Sequence, residues 1–483
     1  MSLSFSRLAR RRAMAVLGAA GIVAGVVGIT PARAAVPFKD AAFSGSAVGS
    51  TVHTDALNSG ETRIANADIA LASSAVNSKG ITAQATNENG RVINPALGAT
   101  KFSYGRGQGL EVGIAGTPPD DGQILLAGKA EASALPSPAD DNESVGPVDA
   151  DPVAWAAAAQ GTANARWNTE TCILGEDIAR GIGYVADAQL VDAGADEETG
   201  LDGPVLSTDA TQPFRDVSQT TAGQYFAPNS AGAFGLTSYV AQTIAPVSLL
   251  RGNLDLTVEV LGEWVMKAFA SGVAGQSTVT YRPTKDENGN PVTDSTPILR
   301  FIVGADPVDI TTVLTFQQVF GEEGFSDISI PGVLDLVVGE DPRAIGGDAT
   351  TNPAIAADGT SVAAAVDVVR LVLADGALGD VRIGHMETKA TVPAGGVTCP
   401  IPVNKVATPP IVNSTSAPDG KFLTTITIKN AFACPLENVT MTDDIIRKTG
   451  DVTFEIDENN AGNDPKKGAG AVFTKNSSTS AKA

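Results

Sequence analysis

A two-residue rhythm constrains this chain more than any other feature. Leu254, Leu256, Val258 and Val260 alternate with Asp255, Thr257 and Glu259, and the run continues into Glu263-Trp264-Val265. Val452, Phe454 and Ile456 alternate in the same way with Thr453, Glu455 and Asp457. Successive side chains of a strand point to opposite faces, so this spacing gathers the apolar set on one face, which then needs a second layer to cover it. The fold class predicted is mainly β: a large antiparallel sandwich-like region with few short helices. Aromatic residues are only 5% of the chain while glycine numbers 51, which favours sheets of small and β-branched residues joined by many turns. With 43% hydrophobic residues the chain can bury a substantial core in two or three domains, and disorder of the whole is excluded.

In Val381 to Val392 the rhythm changes phase: Val381 and Ile383 share one parity, whereas Met386, Ala390 and Val392 share the other. A β-bulge at Gly384 is the expected reconciliation. Turn signals at Asn89-Gly90, Asp286 to Pro291, Pro331-Gly332 and Asp419-Gly420 separate the runs. A helix is predicted over Val153 to Gln160, where Asp151 can cap and Pro152 can occupy the first turn, and a shorter one over Leu314 to Phe320. The acidic, proline-rich stretch from Leu135 to Pro147 reads as a loop or linker.

A basic start (Arg7, Arg10, Arg11, Arg12) runs into the apolar stretch Met14 to Ile29 and then Ala32-Arg33-Ala34. This is the pattern of a secretory signal over residues 1–34 with an A-x-A cleavage site, and the apolar run of about 16 residues falls short of the roughly 20 a membrane span needs. An extracellular chain, secreted or held at the cell surface, is therefore expected. Cleavage leaves 28 basic against 54 acidic residues, a net charge of −26. Nucleic acid and anionic lipid are excluded as partners on that balance, because both are bound through clustered Lys and Arg.

Candidate chemistry is thin. His53 and His385 are the two histidines, with no G-x-S-x-G or H-E-x-x-H context, so each is expected to be an ordinary strand or turn histidine. Glu263 and Glu340-Asp341 are candidates for a glycosidase pair of facing carboxylates, and both places read better as solvated strand ends. Asp286 to Asn290 and Asp457 to Asp464 offer oxygen ligands of the type Ca²⁺ prefers, but without the D-x-[DN]-x-[DN]-G spacing. Gly105-Arg106-Gly107-Gln108-Gly109 lacks G-K-[ST] and reads as a flexible strand connection rather than a phosphate loop. The residues thus predict no enzyme, no catalytic residue and no cofactor, and they leave metal binding open.

An exported chain meets oxidising conditions, so its cysteines can pair. The expected bridge is Cys399 with Cys434, closing a loop of about 35 residues and stabilising by about 3–4 kcal/mol. The competing bridge is Cys172 with Cys399, and an unpaired buried Cys172 accompanies the first choice.

Five stretches resemble the choice-of-anchor G family of actinobacterial surface proteins: Trp167 to Gly175, Gly181 to Asp187, Gly339 to Gly347, Ala365 to Arg370, and Val381 to Glu387. The segments Ile426 to Asn430 and Cys434 to Asp443 are similar to the immunoglobulin-like repeats of bacterial surface proteins. These resemblances imply a display or spacer role without enzymatic activity. With the Pro-, Gly- and Thr-rich break at Pro393 to Pro410 and the polar end of the chain, the mature protein divides into a β-rich ectodomain over 35–395, a partial immunoglobulin-like domain over 396–460 with strands expected at Lys421 to Lys429, Leu436 to Thr442 and Val452 to Asp457, and a polar tail over 461–483. Neither an L-P-x-T-G signal nor an apolar C-terminal span follows, so the expectation is release, non-covalent wall contact or a truncated end. The function expected is a cell-surface structural or adhesive protein whose partner is an unknown extracellular ligand or cell-wall component. The alternatives are a carbohydrate- or cell-wall-binding module and, further off, a secreted glycoside hydrolase.

Overall fold

The computed structural model describes residues 34–399 apart from short interruptions, the longest at 114–124 and 209–216, together with the strand backbones Val403–Thr408 and Leu423–Ile428. The signal segment, Cys434, Asp457 to Asp464 and the strands expected at Leu436 to Thr442 and Val452 to Asp457 lie outside the described residues. The strand expected at Lys421 to Lys429 is present as Leu423–Ile428, paired antiparallel with Val403–Thr408.

The described residues are mainly β and antiparallel. A ten-stranded sheet runs through Leu334–Val338, Val369–Leu373, Gly379–Thr391, Ser44–Thr54, Asn66–Asn77, Ser103–Gly113 and Leu125–Ala134. A fifteen-stranded sheet contains the series Ala139–Val145, Ala154–Ala165, Ala179–Asp196, Ser218–Pro228, Phe234–Thr243, Glu263–Ala270 and Thr278–Lys285. The two sheets share one large core containing Val52, Ile69, Leu110, Val185, Val240, Trp264 and Met266. Among the described residues the helix is confined to one turn and a half, Phe316–Phe320, within the segment predicted at Leu314 to Phe320.

The helix predicted at Val153 to Gln160 is instead the strand Ala154–Ala165. Alanine is a strong helix former, but here the neighbouring strands on both sides take up the backbone groups, and small side chains are what the position demands. A methyl built on Gly109 would lie 2.5 Å from the Ala159 Cβ, so even alanine fills the space between the sheets. Next to this site the packing is tighter still. A Cβ on Gly107 would stand 1.9 Å from the Ile182 oxygen and 2.5 Å from that of Thr162, and one on Gly181 1.9 Å from the Arg106 oxygen. The glycine Cα is then within about 3.4 Å of a carbonyl of the facing sheet, the range of Cα–H···O contacts. Gly105 to Gly109 is therefore not a flexible connection but the interior of a strand, whose glycines let two backbones meet. The stretch read as a linker, Leu135 to Pro147, likewise contains the exposed edge strand Ala139–Val145.

The phase change at Gly384 has a different cause from the one expected. The pairing of Gly379–Thr391 with Ser44–Thr54 keeps one register on both sides of Gly384, with Ser50 opposite His385 and Val52 opposite Ile383. No residue is inserted, so this is not a bulge. Instead the neighbouring strands change phase on the same line: buried Ala47 gives way to Val52, Ala72 to Ile69, and Ala130 to Ala127. Gly384, Ala70 and Gly128 on this line have positive φ, at 73°, 51° and 62°. In the facing sheet Asp187, at 49°, does the same for buried Val185 and Ala188. A crease thus crosses the smaller sheet without shifting the register of its ladders, which miss only the pairs at the line itself. Thr51 Oγ1 donates to the Ile69 carbonyl at 2.9 Å, and the Gln242 amide reaches from the other sheet to the carbonyls of Ser50 at 2.9 Å and His385 at 3.0 Å.

The larger sheet extends past the expected boundary at 395. Val397–Thr398 pairs in parallel with Val36–Pro37, and Cys399 is bonded to Cys172, not to Cys434. The correction has a simple reason: Cys399 belongs to the sandwich, where the connection carrying Cys172 packs into the same apolar cluster.

Candidate functional site

Strand residues that alternate with core positions are expected to meet water. On the outward side of the smaller sheet, along the crease, they do not. His53, Asp68, Arg106, Glu111, Arg343, Asp367, His385 and Glu387 are all 5% exposed or less. Register brings most of them together: Glu111 lies opposite Asp68, Asp68 opposite His53, and Ser50, three residues before His53, opposite His385.

His385 is the centre. Its Nδ1–H donates to Asp367 Oδ1 at 2.6 Å and its Nε2–H to Glu387 Oε1 at 3.1 Å. With a carboxylate at each nitrogen, the ring is satisfied only as the doubly protonated imidazolium. Burial opposes that charge, but Asp367 and Glu387 outweigh it and hold the pKa up to about 10. Burial likewise opposes ionisation of Asp367, and His385, Arg343 and Arg382 overcome it, so this carboxyl stays well below the usual range. Arg343 Nη2 donates to Asp367 Oδ2 at 3.0 Å, and Glu340 lies 3.5 Å from the same guanidinium. Burial, then Asp367, raise Glu340 above its ordinary value. His53 Nδ1 faces Asp68 Oδ1 at 3.1 Å, and its ring centre is 6.2 Å from that of His385. Arg106 donates to Glu111 at 3.0 Å.

The segment carrying Glu340 and Arg343 is tied to the sheet by a two-way backbone bridge between Arg343 and Ala365. Desolvating this many charges is costly unless each is paired, and losing one partner from such a set costs about 3–5 kcal/mol. The arrangement can lock strands in place. Its carboxylates among the described residues face buried cations and imidazoles rather than solvent.

Of the sequence candidates the structure brings together His53, His385 and Glu340, with Arg106 of the Gly105 to Gly109 stretch beside them, while Glu263 and Asp286 lie elsewhere. Glu263 is a strand-edge residue whose carboxylate accepts from Lys285 Nζ at 2.7 Å and Thr284 Oγ1 at 3.1 Å. Asp286 closes its own exposed turn, accepting from the backbone N–H groups of Asn288 at 2.9 Å and Asn290 at 2.7 Å, which lower its pKa. Among the described residues no group of three or more His, Cys, Asp and Glu is arranged to hold a metal ion, and no helix is long and apolar enough to cross a membrane.

Sequence reasoning missed Asp68, Glu111, Arg106, Arg343, Asp367 and Glu387 as members of the site. Asp68 could have been found, because it stands inside the otherwise apolar run Ala67 to Ala72. Three of the stretches that carried the family resemblance, those of Glu340 and Arg343, of Asp367, and of His385 and Glu387, converge here. The stretch of Trp167 and Cys172 supplies the disulfide, and that of Gly181 and Gly183 the close sheet contact.

Together these features define a class: a glycine-rich antiparallel β protein, creased across one sheet and held along the crease by a buried ion network. The chain matches no family model, no curated protein and no solved structure.

Proposed function

We propose that this chain is an exported cell-surface structural or adhesive protein without catalytic activity, a choice-of-anchor G-like ectodomain followed by a partial immunoglobulin-like module. One observation carries the reading: the histidines and the carboxylates nearest them are consumed in a buried, mutually paired network, while the larger sheet offers solvent a regular polar face. The fold spends its reactive groups on holding its own shape. Antibody labelling and protease shaving of intact cells test the reading; a chain confined to the cytoplasm overturns it.

A carbohydrate- or cell-wall-binding role is the second reading, favoured by that outward face. Tyr184, Thr221, Tyr225 and Tyr239 lie on it, and the neighbouring Lys267 and Arg282 are exposed with no carboxylate partner among the described residues. Tyrosine rings on a solvated sheet face, with two cations nearby, suit stacking on and hydrogen bonding to the sugars of a wall polymer. Co-sedimentation with purified wall, with and without a chelator, separates this reading from a purely structural one and tests Ca²⁺ dependence.

A further inference from the structure

Both ends of the sandwich converge on a single apolar cluster. Phe38 and Phe43 follow the first strand, Val397 and Cys399 close the last one, and Trp167 and Cys172 belong to the connection between Ala154–Ala165 and Ala179–Asp196. Phe38 and Phe43 lie 5.7 and 5.8 Å from the Trp167 ring. Val36 N–H donates to the Gly396 oxygen at 3.0 Å and Phe38 N–H to that of Thr398 at 3.1 Å, joining the two end strands in parallel. Parallel strands pulled from the N-terminal end of one and the C-terminal end of the other load their hydrogen bonds together, in shear.

Within this cluster Cys172 is bonded to Cys399 across a sequence separation of 227. Both sulfurs belong to buried residues, away from thiols in solution. A pull arriving through the chain beyond Cys399 meets that bond before it meets any other part of the ectodomain.

We propose that the Cys172–Cys399 disulfide is a tension bypass. Force crosses from Cys399 to Cys172, so that residues 173–398, which include Arg343, Asp367, His385 and Glu387 of the ion network and most strands of the larger sheet, stay outside the stretched path. The proposal rests on the reading of the chain as a displayed surface protein, since that setting supplies the tension. At about 3.5 Å per extended residue, residues 36–172 yield roughly 48 nm of contour length, and the bypassed stretch withholds roughly 79 nm more.

Single-molecule force spectroscopy on the full chain between terminal handles tests this. The Cys172→Ser/Cys399→Ser variant should reach a total contour length roughly 79 nm greater than the wild type, with the contribution of residues 400–483 common to both. Where the variant folds poorly, wild type held at constant force supplies the second measurement. Added thiol reductant should release one further step of that size, at a rate rising with thiol concentration. Equal contour lengths, or a wild type that reaches full extension without reductant, overturn the bypass. Retention of the chain in the cytoplasm would refute the surface role instead and leave these lengths unchanged.

Discussion

Replacing Gly107 with alanine places a methyl carbon 1.9 Å from the Ile182 oxygen and 2.5 Å from that of Thr162. Carbon and carbonyl oxygen settle at about 3.3 Å or more, so the facing backbones must part by more than an ångström at this point. Overpacking that side chains can absorb costs about 1–3 kcal/mol. Here the obstacles are main-chain atoms of two strands fixed by their own ladders, which puts the loss at about 3 kcal/mol or above. Parting also weakens the adjoining contacts, since a gap of 0.5–1 Å forfeits about a quarter to a half of each dispersion well. Urea unfolding followed by circular dichroism and by the fluorescence of Trp167 and Trp264 should show the midpoint fall sharply with the slope unchanged. Gly181→Ala should behave alike, because its methyl would meet the Arg106 oxygen at 1.9 Å. Thr280→Ala, on an exposed strand position, should stay within about 0.5 kcal/mol of wild type. A Gly107→Ala protein as stable as that control would show that the sheets are not in main-chain contact, and the account of the core would fail.

The His385 pKa is raised from 6.5 to about 10, so the stability it contributes is complete below pH 6.5 and is lost as pH rises toward 10. The stability gap between wild type and His385→Gln should therefore be widest below pH 6.5, at about 3–5 kcal/mol, and should narrow steadily to pH 10; a gap independent of pH would remove the imidazolium from the network. Gln242→Ala strips the donors from two carbonyls at the crease and should cost about 2–3 kcal/mol, with faster amide exchange at Ser50 and His385, whereas unchanged exchange there would deny the amide its role.

The parts of the fold legible in the sequence were those set by neighbours along the chain. Leu256 to Val260 and Glu263 to Val265 declare their faces by alternation alone, and both are strands. The phase change at Gly384 was visible too, but its cause was not, because one strand cannot report that Thr51, Ala70 and Gly109 beside it change phase as well. The segment before Gln160 read as a helix because Asp151 and Pro152 supply helix-start signals; what overrides them is a facing layer of glycines contributed by strands some thirty to fifty residues earlier. The ion network was legible only as scattered residues. Its members come from stretches as far apart as His53 and Glu387, and pairing register rather than sequence distance makes them neighbours.

The crease also sets what kinds of change such a chain can absorb. A residue gained or lost within one strand, on one side of Gly384, would turn half of that strand inside out against partners that had not moved. Length differences among relatives of this protein should therefore gather in the connections, and any shift within a creased strand should be matched by the same shift in the strands flanking it. The sheet would diverge as a block rather than strand by strand.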